Sequence, residues 1–289
     1  MSIEVKSVTY QYDIDDVNSR EYGIFDISFQ VKTGSTIGVI GHTGSGKSTL
    51  MQHFNGLYLP QEGCIIIDEF TINKNSKGLK ELRRKVGLVF QYPEDQLFEE
   101  TVFADIAFGP KNLGLKEAEI EKNVALSMED IGLSFDEYKG RSPHELSGGE
   151  KRKVAIASVL AMNPDVLILD EPTAGLDPKS KSDLLSLLFE IKEKRGLTVF
   201  FVSHDMDDVY EVADYVLVLE NGRLALEGEP EAIFSKREYL LSLGLGTPFS
   251  VEIMALLKGR GYNVDFKPCR DKELVSRLLE VFEKGNVNA

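Results

Sequence analysis

Apolar positions fall into two regimes along the chain. Over the first ~75 residues, short β-rich runs alternate with turns: Ile3–Tyr12, Ile24–Lys32 and Cys64–Ile67 read as strands, and the acidic stretch Asp13–Glu21 as a loop. Beyond them, compact apolar runs alternate with segments of helical period. The runs Ile37–Ile40, Val86–Phe90, Val166–Leu169, Thr198–Val202 and Val216–Leu219 are almost continuously Val, Ile, Leu or Phe, as strands buried on both faces are. That alternation predicts an α/β fold around a mostly parallel sheet. Residues 92–145 break it with helix-forming sequence such as Lys116–Gly132, expected to be an inserted helical subdomain. After a pause at Leu243–Pro248, Phe249, Ile253, Leu256 and Leu257 share one helix face, and Leu274, Leu278, Val281 and Phe282 repeat the pattern. We therefore expect a main domain over 1–243 and a small helical C-terminal appendage over 244–289. The apolar stripes of the appendage pack either within the chain or against a partner.

Composition narrows the function classes. With 289 residues, 42% apolar and 28% charged, the chain has ordinary globular usage, which excludes wholesale disorder. No apolar run nears the ~18 residues of a membrane span. The start, Met1–Lys6, lacks the pattern of a signal peptide, so a cytosolic chain, or one held at a membrane through partners, is expected. Lys and Arg number 33 against 47 Asp and Glu, a net charge of −14. This balance argues against a nucleic-acid binder, which neutralises phosphates with Lys and Arg. It leaves room for a nucleotide, because backbone N–H groups and one lysine suffice for a small phosphate site. Cys64 and Cys269 have no CxxC or His spacing and read as buried or neutral surface thiols.

The ends of the strands carry the chemistry. Ile37–Ile40 runs into Gly41-His42-Thr43-Gly44-Ser45-Gly46-Lys47-Ser48-Thr49, Val86–Phe90 into Gln91, Val166–Leu169 into Asp170-Glu171, and Thr198–Val202 into Ser203-His204-Asp205. Ligands of parallel α/β sheets bind beyond the carboxyl ends of the strands, so these residues are expected to converge. The first segment fits G-x-x-x-x-G-K-[ST] between a strand and a helix. Its glycines let the backbone wrap a phosphate chain, Lys47 reaches the β- and γ-phosphates, and the Ser48 hydroxyl ligates Mg²⁺. Beside such a loop, Asp170 is expected to hold the metal and Glu171 to act as base on the attacking water. A solvated strand end is the alternative for both carboxylates. His204 becomes a donor to the γ-phosphate. Leu146-Ser147-Gly148-Gly149-Glu150 reads as a capping box, with Ser147 as cap and Glu150 at the third helical position. That leaves Gly148 and Gly149 unexplained, and bare N–H groups at a helix start make a second anion site.

Taken together, these residues resemble the nucleotide-binding subunit of an ATP-binding cassette (ABC) transporter. The Walker A loop is Gly41–Thr49, the Q-loop Gln91, the signature Leu146–Glu150, Walker B Val166–Glu171, the D-loop Ala174–Asp177 and the switch histidine His204. The resemblance implies the P-loop NTPase ABC fold, with an N-terminal antiparallel β-subdomain. It implies ATP and Mg²⁺ as ligands, with Gln91 near both, and a sandwich of two subunits. In that sandwich Ser147, Gly148 and Gly149 meet the ATP held on the partner's loop. Tyr12 matches the aromatic that stacks on adenine; Tyr10 competes with it, and an ordinary strand aromatic is the alternative for either. A narrower likeness lies in Phe90–Phe98 and Asp105–Pro110, which are similar to energy-coupling factor (ECF) transporter ATPases. Ile40–Lys47 and Met51–Leu57 are similar to the second, A-prime type. Glu150 departs from the Gln common there. This likeness implies a second homologous ABC ATPase as partner, a membrane T-component and vitamin-binding S-components. It implies a peripheral place on the cytoplasmic side of the cell membrane, and import of vitamins or related micronutrients. A groove near Gln91 would receive the T-component. The basic run Arg83, Arg84 and Lys85 reads as a solvated helix end, with contact to that partner as the alternative.

Other classes fit less well. Soluble ABC ATPases of DNA or ribosomes carry long coiled-coil insertions or two cassettes, and this chain has one Walker set and no sustained heptads. A GTPase is disfavoured because Asn73-Lys74-Asn75-Ser76 lacks the acid that reads guanine. A regulatory subunit without hydrolysis conflicts with intact Lys47, Asp170, Glu171 and His204. An importer dedicated to one substrate, cobalt or nickel among them, stays open.

Overall fold

The computed structural model describes residues 2–12, 22–262, 264, 269 and 271–283; the stretch 13–21, read as a loop, lies outside them. Its strands are β1 (Ser2–Gln11), β2 (Tyr22–Lys32), β3 (Thr36–Ile40), β4 (Glu62–Ile67), β5 (Phe70–Ile72), β6 (Val86–Val89), β7 (Val166–Asp170), β8 (Thr198–Val202), β9 (Tyr215–Glu220) and β10 (Arg223–Gly228). They form a six-stranded sheet of order β10-β9-β3-β8-β7-β6 and a four-stranded sheet of order β2-β1-β4-β5. In the larger sheet β3 pairs parallel with β8 and β9, and β7 pairs parallel with β6 and β8; only the edge strand β10 runs antiparallel. The smaller sheet is antiparallel throughout.

The near-continuous apolar runs follow from this layering, because each central strand feeds two cores. Val166, Ile168, Phe200, Val202 and Val39 face the helix Lys47–Phe54 and the antiparallel sheet, packing with Leu50, Phe54, Ile3 and Ile27. Leu167, Leu169, Phe201 and Ile40 face the other way, onto Val124, Met128, Ile156 and Leu188. Each such side chain removed from water contributes about 1.5–3 kcal/mol. Period-two alternation therefore survives as a choice between two apolar layers, not between core and solvent.

The inserted segment forms the helices Val102–Leu113, Glu117–Asp130 and Phe135–Tyr138 against the helix Gly148–Leu160. It has no core of its own, since Val124 and Met128 join the same cluster as Leu169 and Phe201. A polar clamp adds to this. Asp130, 3% exposed, accepts from Lys194 Nζ and Arg195 Nε, each at 2.6 Å, and Arg195 also donates to the Leu160 carbonyl at 2.8 Å.

Beyond Leu243–Pro248 the helices Phe249–Gly259 and Asp271–Glu283 enclose a small cluster of Met254, Leu257, Cys269 and Leu274, while Phe249, Leu256, Val275 and Leu279 stay exposed. Cys269 is buried and Cys64 half-buried. The run ending in Lys85 closes the helix Lys80–Lys85 but is not simply solvated. Arg83 donates to the carbonyls of Asn55 and Gly56, at 3.4 and 3.1 Å, and Lys85 pairs with Asp165 at 3.0 Å. No helix among the described residues is long and apolar enough to cross a membrane.

Candidate functional site

The loop Gly41–Gly46 leaves β3 at the centre of the larger sheet and enters the helix Lys47–Phe54. A turn bond from Ser45 N–H to the His42 carbonyl, 3.1 Å, folds it back on itself. Gly46 is the N-cap residue, left-handed at φ 96°, and a Cβ there would run into the Gly23 carbonyl. Only glycine suits such a position. No side chain caps this helix, so its first N–H groups remain available to an anion. Lys47, 9% exposed, turns onto its own loop and donates to the carbonyls of Gly41 and His42 at 2.7 and 2.9 Å. Burial pushes its pKa down, and the nearby carboxylates of Glu171 and Asp170 oppose that shift. An incoming phosphate would supply the missing negative charge.

A cavity of about 300 Å³ opens beside the loop, lined by Tyr12, Gly23, Gly44, Gly46, Lys47, Ser48 and Thr49. Tyr12 shares a hydrogen bond with Thr49 Oγ1 at 2.8 Å. Its ring meets Tyr10 and Tyr58 edge-on at 5.2 and 5.8 Å. Tyr10 stands behind it, stacked on Tyr58 at 5.0 Å and packed edge-on to His53 at 4.9 Å. Of the two tyrosines, it is Tyr12 that lines the cavity. Buried His53 donates from Nδ1 to the Thr49 carbonyl at 2.7 Å, and its burial pushes the imidazole pKa down to about 4.

The ends of β6, β7 and β8 complete one cluster. Burial pushes the Asp170 carboxyl up, and a hydrogen bond from Ser48 partly opposes it. Glu171 is left-handed at φ 50°, with its N–H donating to the Val202 carbonyl at 3.0 Å as an extension of the β7–β8 ladder. Its Oε2 accepts from Gln91 Nε2 at 3.2 Å and lies 3.1 Å from His204 Nδ1. Lys47, Ser48, Asp170, Glu171, Gln91 and His204 are thus brought together as the sequence predicts.

Ser147, Gly148 and Gly149 form a second, separate surface. The helix Gly148–Leu160 begins with the predicted capping box: Glu150 N–H donates to Ser147 Oγ, and Ser147 N–H to Glu150 Oε2 at 2.8 Å. The Ser147 hydroxyl and Tyr138 also donate to Glu150, holding its pKa at about 2. Both glycines are exposed, and a Cβ on either would meet open space. Nothing among the described residues demands glycine there.

Two ionic hubs, one buried and one half-buried, escaped the sequence reading. Arg152, 4% exposed on the same helix, forks onto Glu94 through Nε at 2.9 Å and Nη2 at 2.6 Å, and its Nη1 donates to the carbonyls of Pro172 and Ala174, both at 3.0 Å. Burial would push Glu94 up; the Arg152 fork overrides it and holds the carboxyl below its ordinary value. Lys181 bridges Asp205 at 2.5 Å and Asp208 at 2.7 Å, and Asp208 also accepts from Thr173 at 2.9 Å. In sequence both cations sit in amphipathic helices, where charged residues normally face water.

The residues present fit a Mg²⁺–nucleotide. An uncapped helix start, a buried lysine and a hydroxyl paired with a carboxylate are suitable donors for phosphate and for a hard, oxygen-preferring cation.

Comparison with known proteins agrees. Residues 24–174 match the ABC transporter family. The chain is 46% identical over 288 residues to the energy-coupling factor transporter ATP-binding protein EcfA2 of Clostridium tetani, covering 100% of both chains. It is 45% identical to the protein of the same name from Clostridioides difficile, over 97% of this chain and 98% of that one. Among solved structures it resembles cbiO1 from Clostridium perfringens, described as part of the ABC transporter complex cbiONQ, with TM-score 0.71 and 38% identity over 84% of this chain and 94% of that one. A dimeric, post-hydrolysis form of the cassette MJ0796 bound to ADP and Pi matches with TM-score 0.69 and 28% identity, over 79% and 98%. The chain therefore belongs to the ABC transporter family, among the ATP-hydrolysing ATP-binding proteins of energy-coupling factor transporters.

Proposed function

We propose that this chain hydrolyses ATP between its own phosphate loop and the signature surface of a second cassette, and so powers uptake of vitamins or related micronutrients. The observation that carries the reading is the meeting of Glu171 with Gln91 and His204 next to Lys47, Ser48 and Asp170. In this reading Gly41, His42, Thr43, Gly44, Ser45, Gly46 and Thr49 wrap the phosphates, Lys47 pairs with the β- and γ-phosphates, and Tyr12 stacks on adenine. Ser48, Asp170 and Gln91 would hold Mg²⁺, which supplies neutralisation of the charge that develops on the phosphates. Glu171 orients and deprotonates the attacking water, and His204 donates toward the γ-phosphate. Ser147, Gly148 and Gly149 serve the ATP bound on the partner.

The partner ATPase would be a homologue, beneath a membrane T-component and exchangeable vitamin-binding S-components, with this chain peripheral on the cytoplasmic side. A groove of about 1070 Å³ supports docking of a membrane partner. Its walls include Leu59, Phe90, Leu97, Phe98 and Phe108, and it is reached directly from the segment after Gln91. Asp105, 5% exposed, lines it, and its Oδ2 has no hydrogen-bond partner among the described residues.

The test is an affinity capture of the chain from its native membranes, with partners identified by mass spectrometry. Recovery of a second cassette, one T-like membrane protein and several small membrane proteins is the expected result. A single dedicated permease would favour a second reading, an importer for one substrate, to which the likeness to cbiO1 lends weight. No membrane partner at all would overturn both.

A further inference from the structure

Two branches leave the catalytic cluster, and both do so through a left-handed residue. One passes Glu171, φ 50°, into Pro172; the other follows Gln91 through Tyr92, φ 53°, toward Glu94. Non-glycine residues hold that conformation only where their surroundings over-determine it. In front, the branches are joined by the Gln91–Glu171 hydrogen bond at 3.2 Å. Behind, the guanidinium of Arg152 catches both, taking the two Glu94 oxygens on one side and the carbonyls of Pro172 and Ala174 on the other. Proline has no N–H, so the Pro172 carbonyl is the one backbone hydrogen-bonding group by which that residue can be anchored. The result is a closed ring that includes Gln91 and Glu171 of the cluster, with Arg152 as its rear member. Arg152 also belongs to the helix that starts at Gly148, so the ring is tied to the signature surface.

We propose that Arg152 is a positioning residue for ATP hydrolysis, holding the segment after Glu171 in register with the groove-side segment after Gln91. The proposal rests on the role of Glu171 given above. It makes Glu94–Arg152–Pro172 the route by which a partner seated against Gln96, Leu97 and Phe98 reaches the catalytic carboxylate. The geometry requires a planar fork with several donors, which a lysine ammonium does not provide, so retained charge alone is insufficient.

The test uses the complete transporter complex, comparing wild type with Arg152→Lys, Glu94→Gln and Glu171→Gln in steady-state ATP turnover and in equilibrium nucleotide binding. Arg152→Lys is expected to lower kcat about 10–100-fold, the scale of a small misplacement of a catalytic group, with KM and ATP affinity within about two-fold of wild type. Glu94→Gln is expected to give a smaller drop of the same kind, and a variant combining Arg152→Lys with Glu94→Gln to be no slower than Arg152→Lys alone. Wild-type kcat in Arg152→Lys would overturn the proposal, since an ordinary buried ion pair is the role lysine can rescue. A parallel loss of nucleotide affinity and thermal stability, accounting for the loss of turnover, would also overturn it. Should Arg152→Lys fail to fold, Glu94→Gln carries the test: lowered kcat at unchanged affinity sustains the proposal, and unchanged kcat overturns it. Normal turnover in Glu171→Gln would overturn the reading of Glu171 instead, and is told apart because Arg152 is intact in that variant.

Discussion

Lys47 spends its donors on the carbonyls of its own loop, and burial has already weakened its hold on its proton. A phosphate chain offers it a better partner, so Lys47→Ala should weaken ATP binding itself; titration calorimetry showing unchanged affinity would count against the cradle. Glu171 is read as the base, so Glu171→Gln should keep ATP bound while cutting turnover in the assembled complex by roughly 10²–10⁴-fold. His53 gives a prediction about pH. Its folded pKa is about 4 against an ordinary 6.5, so between those values the unfolded chain takes up a proton that the folded chain refuses. Stability should fall as pH drops from 6.5 toward 4, by on the order of 3 kcal/mol from this group, and no further below. Urea midpoints measured across that range should slope less steeply for His53→Gln by one proton; identical slopes would rule the imidazole out. At this scale the phosphate loop, Asp170, Glu171 and His204 were legible because strand ends expose their residue types in order. Arg152 and Lys181 were not, because a paired cation inside an amphipathic helix looks like a solvated one until its partners from distant segments are known.

Elements were legible where burial is strong on both faces. The five apolar runs appear as β3, β6, β7, β8 and β9, each with its ends within a residue of the reading. The short strand β5 and the edge strand β10 were missed, for a physical reason: three residues give no period, and Arg223–Gly228 lies half-exposed at the sheet edge, so neither carries a buried pattern. The helix Gly148–Leu160 starts earlier than its apolar period suggests, since the Ser147–Glu150 box draws both glycines into the first turn. The inserted helices depend on tertiary anchorage as much as on period. Asp130 receives two cations from the helix Pro178–Arg195. Asp130→Ala should cost about 3 kcal/mol, the low end for breaking a buried pair because Lys194 reaches solvent. Thermal or urea unfolding would read that loss, and a change under about 0.5 kcal/mol, the scatter of ordinary surface substitutions, would show that apolar packing alone holds the segment.

For the molecule as a whole, the proposed function gives a single chain two halves of different sites, the phosphate loop and Ser147–Gly149. Hydrolysis should therefore depend on the concentration of the partner cassette and be very slow in the dilute, isolated chain; a concentration-independent rate would mean that one chain completes its own site. The central position of β3 has a consequence for biosynthesis. Its backbone is held by β8 and β9, and Thr36 N–H is bonded to Asp214, 178 residues later in the chain. At about 5–20 residues per second, the ribosome makes the phosphate loop tens of seconds before the strands that flank it. The first motif to be translated is thus among the last to be fixed in place, and a nascent or truncated chain ending before β9 should hold nucleotide more weakly than the full chain.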